Sequence, residues 1–263
     1  MQTVASKDGT RIAYWVSGQG PPLVLVHGTT ADHTDWAPIL LKLQERFTVF
    51  AMDRRGRGGS GDAADYALER ELQDVAAVVD AAAGAGKASL LGHSYGALCS
   101  LEAALRTDRI DKLALYEPPI PAGVAIYPPG SIEQLESLLA QGQKEAVVET
   151  LFREIVRMPP AEIAALKSLP NWPSRVASAH TIPRELRADE AFVFRAEPFA
   201  TMRSPTLLLL GGDSPPFFKA ALDSVERAIR GSRVEILPGQ QHVAINTAPE
   251  MFVGKVLGFL ADG

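Results

Sequence analysis

Residues 92–96 of the chain read Gly-His-Ser-Tyr-Gly and lie between an apolar run at 88–91 and a helix-compatible stretch at 97–105. This is the G-x-S-x-G pattern in a strand–turn–helix context, which predicts a sharp turn that presents Ser94 as a nucleophile. The glycines fit such a turn because they have no side chains to crowd the serine. The pattern is short, and a glycine-rich turn can be purely structural, so its meaning depends on the rest of the chain.

Short apolar runs alternate with helical segments along most of the chain. The runs are at residues 11–16, 23–26, 47–52, 88–91, 112–116, 205–210 and 233–237. Strands that are buried on both faces and alternate with helices are typical of a mostly parallel sheet with right-handed crossovers. The sequence therefore predicts an α/β fold. Ligands of such sheets bind at the carboxyl ends of the strands, where the candidate residues of this chain also fall.

The alternation pauses between the fifth and sixth of these runs. Within the pause, Val147, Leu151 and Ile155 repeat every four residues, which indicates a helix with an apolar face. We expect residues 120–200 to form a helical cap over the ends of the strands, although these helices could instead only thicken the outer layer. The predicted core domain comprises residues 1–119 and 201–263.

Composition and charge narrow the class of protein. The 263 residues carry a formal net charge of -5, and no uninterrupted apolar run approaches a membrane span of roughly 18 residues, so we expect no nucleic-acid or membrane partner. The single cysteine, Cys99, excludes an intramolecular disulfide and a cysteine-rich metal site. The first ten residues lack the apolar stretch of a secretory signal, which favours a cytoplasmic location. We predict no metal and no cofactor.

A serine hydroxyl needs a base that removes its proton before it can attack. Of the five histidines, His242 is placed best, because it follows the run 233–237 and precedes the closing helix. A carboxylate beside that histidine would fix its tautomer and stabilise its protonated form. Asp213 follows the run 205–210, and the order Ser, Asp, His matches the order expected for this arrangement. We therefore assign Ser94, Asp213 and His242 as catalytic residues, although Asp213 could instead cap the following helix.

Backbone N–H groups at strand-to-helix turns can stabilise the oxyanion that forms when a serine attacks an acyl group. Thr29 follows the run 23–26, and Tyr95 follows Ser94, so we predict that their N–H groups form an oxyanion hole. Aromatic side chains are candidates for the wall of an apolar substrate pocket, although each could be simple core packing. These candidates are Trp36, Phe152 and Trp172.

Taken together, these motifs resemble the α/β-hydrolase superfamily, in particular its members with a helical cap and a single His-Gly-x oxyanion motif. The resemblance rests on residues 92–96, on His27-Gly28, and on residues 53–60, which are similar to the family turn D-x-R-G-x-G-x-S. It implies a mostly parallel eight-stranded sheet flanked by helices, with the cap inserted after strand 6. In relatives, the turn corresponding to residues 53–60 braces the sheet and is not catalytic.

The position of the acid is the one departure from the family pattern. Relatives commonly carry the acid three residues after the glycine that ends its strand, whereas Asp213 is only two residues after Gly211. Some relatives place the acid after the preceding strand instead, and Glu117 occupies that point here. We favour Asp213 and keep Glu117 as the alternative acid.

The nucleophile constrains the reaction. Relatives that displace halide or open epoxides carry Asp at the elbow, whereas this chain has Ser94, which attacks acyl groups. We predict a carboxylesterase-like serine hydrolase that cleaves a small or medium apolar carboxylic ester, its small-molecule partner, through an acyl-enzyme. The alternatives are lactone or C–C bond hydrolysis, perhydrolase or haloperoxidase-like chemistry, acyl transfer, and a non-catalytic ligand-binding role.

Overall fold

An eight-stranded sheet forms the centre of the protein, whose structure is a computed structural model that describes residues 1–261. The strands are β1 (Gln2–Ala5), β2 (Arg11–Ser17), β3 (Pro22–Val26), β4 (Thr48–Met52), β5 (Ala88–His93), β6 (Ile110–Tyr116), β7 (Thr206–Gly211) and β8 (Arg233–Leu237). Their order is β1-β2-β4-β3-β5-β6-β7-β8. The pairs β1–β2 and β2–β4 are antiparallel, and the other pairs of this described sheet are parallel. The predicted mostly parallel eight-stranded sheet is confirmed.

Helices connect the strands and cover both faces of the sheet. They are α1 (Ala37–Gln44), α2 (Leu68–Ala83), α3 (Tyr95–Ala103), α4 (Ser131–Ala140), α5 (Lys144–Thr150), α6 (Pro160–Lys167), α7 (Trp172–Ala177), α8 (Ile182–Glu190), α9 (Pro216–Ala228), α10 (Ala244–Thr247) and α11 (Pro249–Ala261). A π-helical turn at Leu151–Ile155 continues α5. None of the helices in the described part of the chain is both long and apolar enough to cross a bilayer.

Alternate residues of β3 enter two different apolar cores. Leu23 and Leu25 belong to the core that contains residues of α1 and α11, on one face of the sheet. Val24 and Val26 belong to the core that contains residues of α2 and α3, on the other face. All four side chains are fully buried. Because both faces need apolar side chains, the central strands are continuous apolar runs rather than alternating ones.

The helices α4–α8 lie in the connection between β6 and β7, as the pause in the strand pattern predicts. Leu151, Phe152 and Leu186 of this connection line a cavity that Gly28 and Ser94 line from the core side. We call this inserted segment the cap, because it covers the loops that follow the central strands. Its limits as a separate unit, residues 120–200, stay a prediction.

A buried cluster of ion pairs joins the cap to the turn at residues 53–60. Arg54 Nη2 lies 2.7 Å from Glu71 Oε1 and 3.0 Å from Glu185 Oε1 of α8. Arg57 forms a further ion pair with Glu185 and donates a hydrogen bond to Thr181 Oγ1. The four charged side chains of this cluster are fully buried. The arginines of the basic stretch that follows β4 are therefore buried, and Arg54 and Arg57 join the cap to the core.

Candidate active site

Ser94 lies at the sharp turn between β5 and α3, with φ 55° and ψ -129°. A Cβ atom at Gly96 would lie 2.3 Å from the His27 carbonyl oxygen, and one at Gly92 would lie 2.6 Å from the Gly96 carbonyl oxygen. These positions therefore admit only glycine, because Gly96 packs against the end of β3 and Gly92 packs against the first turn of α3. The backbone strain at Ser94 is the kind that proteins retain at functional sites.

The predicted oxyanion donors lie beside Ser94. Tyr95 is the first residue of α3, so its N–H has no partner within the helix, and the Ser94 side chain does not cap it. A Cβ atom at Gly28 would lie 3.0 Å from Ser94 Cβ, so the loop after β3 passes in contact with the serine. Thr29 of that loop lines the same cavity as Ser94 and Tyr95. The structure thus places both residues beside Ser94.

His242 is held by Glu117, which follows β6. His242 Nδ1 lies 2.5 Å from Glu117 Oε2, and the Gly211 N–H donates to Glu117 Oε1 at 2.7 Å. The glutamate is fully buried, and each of its carboxylate oxygens has a partner. Because Nδ1 faces the carboxylate, it carries the proton, and Nε2 remains free to accept one.

Asp213, the acid favoured from the sequence, is not the carboxylate beside His242. It is exposed, and its backbone N–H donates to the Gln240 carbonyl oxygen at 2.9 Å. Glu117 reaches His242 because its backbone adopts a left-handed conformation, with φ 49°, directly after β6. The structure therefore corrects the choice of acid in favour of the alternative.

Two further residues hold the loop that carries His242. His93 Nε2 lies 2.9 Å from the His242 carbonyl oxygen and donates to it, while Tyr116 OH donates to the Gln241 carbonyl oxygen. Burial, together with the nearby His242, lowers the pKa of His93 well below its usual value, so this ring is neutral. The sequence signal for these two residues is their position directly before Ser94 and Glu117.

Ser94 and His242 line one cavity. Within residues 1–261, the Ser94 hydroxyl has no hydrogen-bond partner. A contact between nucleophile and base that is absent without substrate commonly forms once substrate is bound. The predicted residues Thr29, Ser94, Tyr95 and His242 therefore line one space, and Glu117 contacts His242 from behind it.

Apolar side chains form most of the cavity wall, and six of them are Leu151, Phe152, Ile155, Leu186, Phe217 and Phe218. Phe152 thus lies where the sequence analysis placed it. The polar side chains in the wall include Thr30, Asp35, Tyr127 and Arg175. An apolar wall with a few polar groups is typical of a site for a small organic molecule.

Trp36 and Trp172, which were predicted to line the cavity wall, lie elsewhere. Trp36 is 1% exposed and packs with Ile39 and Leu43 in the core of α1 and α11. Trp172 packs behind Phe152, with ring centroids 6.4 Å apart, and its Nε1 donates to Glu145 at 3.0 Å. The apolar character of these tryptophans predicted that they are buried. It did not predict on which face of the sheet or of the cap they lie.

Asp32, His33 and Asp53 are close enough to hold a metal ion. Asp53 instead accepts hydrogen bonds from the backbone N–H of His33 at 2.8 Å and of Gly59 at 2.7 Å. Asp32 accepts from the backbone N–H of Thr34 at 2.8 Å. These bonds give the carboxylates a structural role in the loops after β3 and β4.

Known proteins of the alpha/beta hydrolase family share this architecture. A family model described as the alpha/beta hydrolase family matches residues 23–255. The chain is similar to an alpha/beta hydrolase from Sphaerobacter thermophilus, with 38% identity, a TM-score of 0.86 and coverage of 99% of this chain and 100% of that one. An esterase from Rhodococcus sp. is 25% identical, with a TM-score of 0.81 and coverage of 99% and 98%. A 2-(acetamidomethylene)succinate hydrolase from Mesorhizobium japonicum is 27% identical over 267 residues, which covers 92% of this chain and 89% of the relative.

Proposed function

The chain belongs to the alpha/beta hydrolase family, and from that premise we propose that it is a serine hydrolase that cleaves a carboxylic ester through an acyl-enzyme. The observation that carries the proposal is the buried pair of His242 Nδ1 and Glu117 Oε2, 2.5 Å apart, at the cavity that contains Ser94. A histidine oriented by a carboxylate is the arrangement that activates a serine hydroxyl. A protein that only binds its ligand has no need of it.

The proposed reaction has two halves. His242 Nε2 takes the proton of Ser94 as the hydroxyl oxygen attacks the ester carbonyl, and the N–H groups of Thr29 and Tyr95 stabilise the oxyanion. The intermediate collapses to an acyl-enzyme as His242 returns the proton to the leaving alcohol. Water then attacks the acyl-enzyme with His242 as base again, which releases the acid and restores Ser94. Glu117 stabilises the positive charge that forms on His242.

Covalent labelling tests the nucleophile. A fluorophosphonate should label the wild-type protein rapidly, and Ser94→Ala should abolish both the labelling and the burst of product release from p-nitrophenyl esters. Hydrolysis across p-nitrophenyl esters of growing acyl length should be fastest for short or medium chains, as the apolar cavity suggests. Labelling or turnover that survives Ser94→Ala would overturn the proposal.

Hydrolysis of an amide-linked acyl group is a second candidate. The name of the hydrolase from Mesorhizobium japonicum contains an acetamido group, and this similarity favours the second candidate. The same residues would serve, except that His242 would protonate a leaving nitrogen. Rates on p-nitrophenyl acetate and p-nitroacetanilide, which differ only in the scissile bond, would decide between the ester and the amide.

A further inference from the structure

One permanently charged cation lines the cavity that contains Ser94. It is Arg175 of α7, and among the described residues of the cavity wall no other lysine or arginine occurs. The residue is 5% exposed, so its guanidinium is largely removed from water. A cation in this position is costly to bury unless it has acceptors around it.

The described part of the chain supplies only some of the acceptors that Arg175 needs. Its Nη1 donates to Thr30 Oγ1 at 2.8 Å, and its Nη2 forms an ion pair with Asp35. Its Nε is buried and has no hydrogen-bond partner within residues 1–261. An unpaired buried donor carries a desolvation cost that an added acceptor would remove. A guanidinium binds a carboxylate well because its planar N–H groups match the two oxygens.

Asp35 holds the guanidinium in place and would compete with an anionic ligand for it. The carboxylate is buried and also accepts a longer bond of 3.4 Å from Asn171 Nδ2. Burial raises the pKa of Asp35 above its ordinary value, even though the Arg175 guanidinium acts in the opposite direction. The ion pair with Asp35 leaves Nε without a partner among the described residues, so Asp35 does not use all the donors of the guanidinium.

We propose that Arg175 forms a carboxylate-binding subsite in the active-site cavity, so that the natural substrate carries a carboxylate in addition to the scissile acyl bond. The proposal rests on the proposed serine hydrolase function and specifies its substrate class. The apolar wall binds the carbon skeleton, Ser94 attacks the acyl carbon, and Arg175 binds the anionic group and fixes the orientation of the molecule. Specificity for an anion then comes from the cap, and the chemistry comes from the core.

Matched esters test the subsite. The probes are the monomethyl and dimethyl esters of succinic, glutaric and adipic acids, which differ within each pair only in whether one end is a carboxylate. For the best chain length, we expect the wild-type protein to hydrolyse the monoester with a kcat/KM per ester group higher by on the order of 10-fold or more. Arg175→Gln should remove that preference chiefly through a higher KM for the monoester, while the diester loses far less.

Two further variants separate charge recognition from a purely structural role. Thr30→Val removes the acceptor of Nη1 but keeps the cation, so the preference for the monoester should persist. Asp35→Asn keeps an acceptor for Arg175 but removes the competing negative charge, so the KM for the monoester should fall. If Arg175 and Asp35 only tie the cap to the loop after β3, Asp35→Asn will instead slow both esters alike, which overturns the proposal.

The failure of the subsite is distinguishable from the failure of the hydrolase function. If the fluorophosphonate labels Ser94 and both esters are hydrolysed equally, or if Arg175→Gln keeps the preference, the carboxylate subsite is wrong and the hydrolase function stands. If Ser94 is not labelled and neither ester is hydrolysed, the hydrolase function is wrong. Calorimetric titration of Ser94→Ala with the monoester, with and without Arg175→Gln, supplies a readout without turnover, and circular dichroism checks that each variant is folded.

Discussion

At the scale of single residues, the candidate site depends on one buried carboxylate, that of Glu117. Glu117 has no exposed surface, and both of its oxygens have partners, one on His242 and one on the backbone of Gly211. Such a group orients the imidazole and stabilises its positive charge without taking the proton. Asp213, which is exposed, can do neither.

The acid assignment is tested by a matched pair of variants. Glu117→Gln should lower kcat by on the order of 10³- to 10⁴-fold, because an amide favours the wrong tautomer of His242 and cannot balance its charge. Asp213→Asn should leave kcat within about twofold, since a change on an exposed loop normally has little effect. Steady-state kinetics on one p-nitrophenyl ester measure both variants. A collapse in Asp213→Asn with a normal Glu117→Gln would reverse the assignment.

The raised pKa of Asp189 predicts that the stability of the folded protein depends on pH. It is fully buried in α8 and accepts a hydrogen bond from Tyr127, and burial raises its pKa from 3.8 to about 7. The folded state therefore binds this proton more tightly than the unfolded state, so the stability contribution is complete below pH 3.8 and is lost as the pH rises through 7. We expect Asp189→Asn to become more stable than the wild type by a few kcal/mol at pH 8 and to gain much less at pH 5.

Denaturant unfolding at the two pH values measures this difference between the proteins. The comparison with Asp189→Asn is needed because other carboxyl groups titrate over the same range. An equal effect of the substitution at both pH values would show that Asp189 does not take up the proton.

At the scale of elements, the turn from β5 to α3 leaves no space between the helix and the end of β3. Gly96→Ala would bring a methyl group within 2.3 Å of two backbone oxygens of β3 and its loop, those of Val26 and His27. We expect it to lower the free energy of unfolding by about 3 kcal/mol, at the upper end of overpacking effects, and to displace the oxyanion donors.

Gly254→Ala is the control for that variant. Gly254 lies inside α11, and a Cβ atom there would meet nothing within 4 Å. The same added methyl group should therefore stabilise the protein by about 0.5–1 kcal/mol through helix propensity. Thermal and denaturant unfolding measure both changes, and a destabilisation of equal size in the two variants would contradict the packing argument.

At the scale of the whole molecule, the cap is anchored to the core by buried charges. Glu185→Gln should lower the free energy of unfolding by about 3 kcal/mol, because it leaves the Arg57 guanidinium buried without its counter-charge. Glu133→Gln, in an exposed ion pair of the cap with Arg187, should change stability far less, because solvent screens this pair. Chemical denaturation compares the two. Equal effects would mean that the buried cluster does not join the cap to the core.

The fold was predictable because the sheet is buried on both faces, so its strands stand out as apolar runs between helices. The choice of acid was not, because β6 and β7 are neighbours and an acidic residue follows each of them. The left-handed backbone at Glu117, with φ 49°, decides which carboxylate turns inward, and side chains other than glycine rarely adopt it. Arg175 could not be found either, because the cap lacks the regular alternation that marks strand ends. The roles of Ser94, His242, Thr29 and Tyr95 stay predictions until they are measured.

Because Glu117 after β6 contacts His242, the Asp213 side chain of the β7–α9 connection is not needed to orient that histidine. Gly212 and Asp213 project into solvent, and the bond from Glu117 reaches no further along this connection than the Gly211 amide. Their backbone N–H groups donate to the Leu237 and Gln240 carbonyl oxygens at 2.8 and 2.9 Å, so this connection also holds the loop that leads to His242. A residue inserted between Gly212 and Asp213 would therefore shift the His242 loop, although both residues are exposed.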